Sequence, residues 1–190
     1  QTNFDKTLPE KYKHQAKLAV KDEYTFDFLE LGEEHSEKEL EISIINNIRK
    51  FLTEMGGYFA FIGNQFRIEI DGEEFFVDLL LYHRKLKSLV AIELKIGKFK
   101  PEYAGKIQFY LSVLDDKVKL ENENSSIGII ICKDKNRTIV EYALKDVNKP
   151  IGVSTYTITS KLSEYMSKYL PTPEEIAEKL TIFGKNSMHE

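Results

Sequence analysis

The chain is expected to be an α/β protein, a mixed central β-sheet flanked by helices in the order αβββαβαβ. Three observations predict this. Apolar residues recur at helical spacing over 40–55 and again over 103–114. Strict alternation over 65–70 runs into Asp71-Gly72 and then a second apolar strand. Later apolar runs at 89–95, 127–132 and 151–158 are short, as buried strands are. With 190 residues the chain can form one substantial domain plus an appendage, and 42% hydrophobic with 31% charged residues is an ordinary folded composition. We divide it into a lead-in at 1–35, a core domain at 36–160 and a peripheral helical tail at 161–190.

The lead-in has scattered charge and weak periodicity, so an extended or partly helical segment outside the core is expected, the tail of a missing upstream domain. At Ser36 the pattern sharpens. Ser36 and Glu39 form an S-x-x-E capping box before Leu40, Ile44, Ile45, Ile48, Phe51, Leu52 and Met55, an amphipathic helix ended by Gly56-Gly57. Strand Gln65 to Ile70 turns at Asp71-Gly72 into strand Phe75 to Tyr82, which is apolar on both faces apart from Asp78. A basic turn, His83 to Ser88, leads to strand Leu89 to Lys95, with Gly97 as its end. Pro101 fits the first helical position before Tyr103, Ile107, Tyr110, Leu111 and Leu114. Strand Ile127 to Cys132, helix Thr138 to Leu144 and strand Ile151 to Ile158 follow, and Pro171 and Pro173 introduce a polar helix, Glu174 to Leu180.

Several classes are excluded or disfavoured. The single Cys132 precludes an intrachain disulfide framework or a multi-cysteine zinc site, which suits a reducing cytoplasm. No apolar run approaches the roughly 18 residues of a membrane helix, so no membrane association is expected. The first residue, Gln1, is no initiator Met, and the start has no signal peptide, as in a fragment of something longer. The net charge of −4 argues against a generic nucleic-acid coat. Locally the sign reverses, because residues 84–106 contain seven Lys and Arg against two Glu.

Chemistry concentrates in the same stretch. If the second hairpin centres on Lys85-Leu86, Asp78 opposes Glu93, and alternation puts Lys95 on the face of Glu93. Opposed side chains have Cβ atoms about 4.5 to 5.5 Å apart, where two carboxylates repel, so a cation is expected between them. A divalent metal and the Lys95 ammonium would answer that repulsion. The first hairpin brings Gln65 to the same face. Glu41 shares the apolar face of the first helix with Ile44, Ile45 and Ile48, and is the candidate third metal ligand, directly or through water. Oxygen ligands without Cys suit Mg²⁺ or Mn²⁺. Lys98, Lys100 and Lys106 are the candidate contacts to a polyanion, and lysines over a metal-carboxylate cluster suit phosphodiester hydrolysis.

Asp78 and then Glu93-x-Lys95 on adjoining strands, after a helix bearing Glu41, resemble the PD-(D/E)XK restriction-endonuclease-like superfamily. Phe59 to Gly63, Phe76 to His83, Ile92 to Gly97, Lys100 to Lys106, Val140 to Leu144 and Lys149 to Val153 resemble more specifically the bacterial YhcG-type PDDEXK nuclease domain, over residues 20 to 175. The resemblance implies a restriction-endonuclease-like core, Mg²⁺-dependent cleavage of DNA, and a helical DNA-binding domain upstream in the full-length protein, one of bacterial DNA defence or processing. Gln108 corresponds to the superfamily's helical Gln. Ser112 stands where the RecB-like version has Tyr, and Val77 replaces the Pro before the motif Asp.

Structural readings stand beside these. Asp78, Glu93 and Lys95 could form an ion pair of the fold alone, and Gln65 and Gln108 could cap backbone groups. His83 reads as a turn residue, Tyr103 and Tyr110 as core, and Cys132 as a small hydrophobe. The alternative to a nuclease is a catalytically silent nucleic-acid-binding or assembly module of the same fold. Strandedness of the substrate, endo- or exonucleolytic mode and the oligomeric state, a homodimer included, stay open.

Overall fold

In the computed structural model, which describes residues 1–32 and 34–158, the first long helix starts where its cap predicts. Ser36 Oγ accepts from Glu39 N at 3.1 Å, and the Glu39 carboxylate accepts from Ser36 N at 2.7 Å. The expected single helix is two, α3 (Glu37–Asn46) and α4 (Ile48–Met55). Asn47 breaks it, leaving helical dihedrals at φ −116° while its side-chain amide donates to Ser43 O. Gly56, at φ 125°, ends α4 in a conformation that a side chain would strain.

A three-strand meander follows. β2 (Phe59–Ile70), β3 (Glu73–His83) and β4 (Ser88–Lys98) are each longer than expected, and β4 runs through Gly97 rather than ending there. Asp71 and Gly72 both have positive φ, the requirement of a tight two-residue hairpin. At the second turn buried His83 accepts from Leu86 N at 3.1 Å, the turn role expected of it. The helix α5 (Glu102–Val113) follows Pro101 and runs on into a π-helical turn, Leu114–Val118. β5 (Asn124–Asp134), α6 (Arg137–Leu144) and β6 (Ile151–Thr157) complete the order, with Asn136 capping α6.

Among the described residues six strands form one mixed sheet, which with β1 (Glu23–Thr25) at one edge is ordered β1-β6-β5-β4-β3-β2. β2, β3 and β4 are antiparallel, and β4, β5 and β6 are parallel. Its edge strand β1 comes from the segment expected to lie outside the core, and pairs parallel with β6. That expectation is corrected. The helices α1 (Phe4–Thr7) and α2 (Glu10–Ala19) precede β1, and Phe4, Tyr24 and Phe26 are fully buried. The helix expected at 174–180 lies outside the described residues.

Apolar layers cover both faces of the sheet. One joins Phe26, Leu40, Ile44 and Phe51 to Leu79, Leu81, Ile92 and Ile129, and the other joins Ile107 and Leu111 to Val77, Leu80, Ala91 and Ile130. Gly128 lets α5 lie close on β5, since a Cβ there would come within 2.9 Å of Ile107. No helix among the described residues is long and apolar enough to cross a membrane.

Candidate active site

The sheet opens at Asp78. Paired residues of the two hairpins follow the registers expected from the turns, Glu69 with Glu74 and Leu81 with Val90. Pairing of β3 with β4 nevertheless stops at Leu79–Ile92, one step before Asp78 and Glu93 would face each other. On the other side, the β2–β3 register runs from Asn64–Leu79 to Phe66–Val77 and leaves Gln65 and Asp78 unpaired. Gln65 sits at φ 44°, and Val77 and Leu79 pack into opposite layers, so the strand alternation changes at Asp78. In the gap, Asp78 Oδ2 accepts from Leu94 N at 2.8 Å, a donor the missing ladder leaves over.

Burial and like charge then act on the two carboxylates. Asp78 has its carboxyl pushed up to about 6, first by desolvation and then by the charge of Glu93. Glu93 is 1% exposed and receives two ammoniums on one oxygen. Lys106 Nζ lies 2.5 Å and Lys95 Nζ 3.1 Å from Glu93 Oε1, whereas Oε2 is buried without a hydrogen-bond partner. Lys95 also lies 2.8 Å from Glu37 Oε2 and over the ring of Tyr103. Desolvation works against its charge, but Glu37 and Glu93 together outweigh it and raise its pKa. Lys106 is raised likewise, with desolvation again overcome by Glu93.

The remaining candidates divide. Glu41 lines a groove of about 570 Å³ with Glu37, Asn64, Gln65 and Asp78. Both of its oxygens are engaged, by Gln65 Nε2 at 2.7 Å and Asn64 Nδ2 at 3.2 Å. Gln108 points its Oε1 into protein without a partner. Lys98 is exposed and pairs with Asp134 at 3.3 Å, and Lys100 is exposed. Lys106, the third expected contact to a polyanion, touches Glu93. Glu37 is the residue that sequence reasoning missed. It lies one helical turn before Glu41 on the same face, so the periodicity that nominates one nominates both.

Among the described residues no three His, Cys, Asp or Glu side chains are grouped to hold a metal ion. Asp78 and Glu93 lie near enough for the charge of one to act on the other. Asp78 and Glu93 offer hard oxygen donors, and the unpartnered Glu93 Oε2 leaves a buried acceptor that a divalent cation fits. Chemically the arrangement can bind such a cation, hold an ammonium beside it, and admit a ligand through the groove. Cys132 is buried with its thiol pushed up to about 11 by desolvation, so it is no nucleophile at neutral pH.

The family model for the YhcG PDDEXK nuclease domain matches residues 17–171. The Escherichia coli (strain K12) protein named "Putative nuclease YhcG" is 35% identical over 162 residues, 85% of this chain and 40% of that protein, so the chain spans less than half of that relative's length. Similar solved structures include a repair endonuclease from Pyrococcus abyssi, at 17% identity and TM-score 0.43, covering 67% of this chain and 48% of that one. A complex of EndoMS with double-stranded DNA is 16% identical at TM-score 0.46, covering 70% and 48%. The family match over most of this chain's length, with the 35% identity to the Escherichia coli relative, leads to one assignment: the chain belongs to the YhcG PDDEXK nuclease domain family.

Proposed function

We propose that this domain is a divalent-metal-dependent nuclease that hydrolyses DNA phosphodiester bonds, as the C-terminal part of a larger bacterial DNA-defence or DNA-processing protein. The observation that carries the reading is Glu93, buried beside Asp78 and Lys95 with one carboxylate oxygen unsatisfied. Asp78 and Glu93 would hold Mg²⁺ or Mn²⁺, with Glu41 on the wall of the same groove as the additional carboxylate. Bound there, the ion supplies a Lewis acid for a phosphate oxygen and lowers the pKa of the attacking water.

The chain's own groups do the rest. Lys95, held by Glu37 and Glu93, orients the water and stabilises negative charge as the water oxygen bonds to phosphorus and the bond to the leaving sugar oxygen breaks. Asp78, fixed by Leu94 N, and Glu93 keep a dense negative charge in place for the ion. Lys98, the last residue of β4, and Lys100 just beyond it lie exposed, where they can hold neighbouring phosphates. The family membership and the local basic excess support DNA as the polyanion.

Incubating the chain with plasmid and linear DNA in Mg²⁺, Mn²⁺ or EDTA tests the reading, with Asp78→Ala as the blank. Ion-dependent cleavage that disappears in EDTA and in Asp78→Ala is expected. DNA binding with no cleavage in either ion would replace it with a silent binding module.

A further inference from the structure

Two ammoniums share one carboxylate in the site just proposed, and the geometry distinguishes them. Glu93 is 1% exposed and its Oε1 accepts both lysines, so a divalent ion on Glu93 would be a third positive group within a few ångströms. Lys95 is the better anchored of the two. It is 12% exposed, spans Glu93 and Glu37, and has the Tyr103 ring beside it. Lys106 is 42% exposed and, although its contact with Glu93 is the shorter and it too has a ring beside it, that of Tyr110, Glu93 is the one carboxylate it pairs with. The single carboxylate partner and the open side make Lys106 the freer of the two.

We propose that Lys106 is a resident counter-cation that occupies Glu93 in the ion-free chain and is displaced when a divalent ion binds. On this view Lys106 is a positioning residue. It keeps buried Glu93 neutralised and in place while the site is empty, and it sets the ion concentration at which the site loads. The inference rests on the nuclease reading only in taking Asp78 and Glu93 as the ion's ligands. It also has a sign that damage cannot mimic. Loss of a structural lysine would weaken ion binding, whereas loss of a competitor tightens it.

Isothermal titration of Mn²⁺ into the 190-residue chain without DNA, compared with Lys106→Met and Lys106→Arg, decides it. Lys106→Met keeps the apolar stem and removes the charge, and it should bind Mn²⁺ about fivefold tighter or more, the lower end of ordinary coupling between sites. Lys106→Arg should stay near wild type. Thermal melts establish that each variant folds, and Lys106→Gln is read in place of Lys106→Met if the latter unfolds. Equal or weaker Mn²⁺ affinity in the folded, uncharged variant, with wild type binding normally, overturns the counter-cation and leaves the nuclease reading standing. No binding in any of the chains overturns both.

Discussion

Asp115 and Glu93 are both acidic, both set against lysine, and finished to different degrees. Asp115 closes its hydrogen bonds. Lys149 donates to Oδ2 and Ser126 N to Oδ1, each at 2.7 Å, which ties the turn after α5 to the start of β5. Glu93 is more deeply buried, yet two ammoniums crowd Oε1 while Oε2 has no partner. An ion pair that serves only the fold satisfies its lone pairs, because a buried acceptor left open costs about 1 to 3 kcal/mol. The open oxygen at Glu93, next to a second carboxylate that burial and repulsion hold up near 6, is a local cost that a bound cation would remove.

Substitutions can sharpen the contrast, beginning with the largest effect. Asp78→Ala should lower ion-dependent cleavage by at least about 10³-fold, since it removes a ligand and with it the electrostatic stabilisation of the reacting phosphate. Calorimetry should show the heat of Mn²⁺ binding disappearing with it. Asp115→Ala should do the reverse. It strips the partner from Lys149 and from Ser126 N, so stability falls by about 1 to 3 kcal/mol in denaturant while the folded fraction keeps its cleavage rate.

A smaller effect follows from Asp78's own charge. The folded chain keeps a proton on Asp78 that the unfolded chain loses between about pH 4 and pH 6. Stability in EDTA therefore falls as pH rises through that window, and the whole penalty is present at pH 7. Asp78→Asn should accordingly stabilise the ion-free fold at pH 7 by about 1 to 2 kcal/mol and flatten this pH dependence in urea melts, although it lowers cleavage. The smallest expected change is in the exposed lysines. Removing Lys98 and Lys100 together should reduce the slope of log affinity against log salt by up to about 1.8 on duplex DNA, with the rate at saturating DNA kept.

Much of this site is legible in the sequence because turns set register. Asp71-Gly72 and the basic turn at Lys85-Leu86 place Gln65, Asp78 and Glu93 at one level of the sheet, and the observed pairings follow those registers around them. What alternation cannot show is that pairing lapses at that level, since a carboxylate accepting from Leu94 N is a tertiary event. The contact of Lys106 with Glu93 depends on how α5 lies on the sheet, a close approach that Gly128 allows from the neighbouring strand β5, far along the chain from Glu93. The lead-in was unreadable for a related reason. β1 has three residues and pairs with β6 across some 130 positions of chain, so it leaves no local pattern, and Tyr24 and Phe26 are buried by side chains remote in sequence, Phe51 and Tyr156 among them.

Lys95→Ala, with denaturation and DNA cleavage measured on the same preparation, separates a catalytic lysine from a structural one. Lys95 lies at the groove end of β4 with its ammonium on Glu37 and Glu93, so a catalytic role predicts a cleavage loss of about 10² to 10³, roughly 3 to 4 kcal/mol of barrier, with the fold largely kept. A purely structural pair predicts about 3 to 5 kcal/mol of lost stability with the residual folded protein cutting at the wild-type rate, and that result would contradict the assignment.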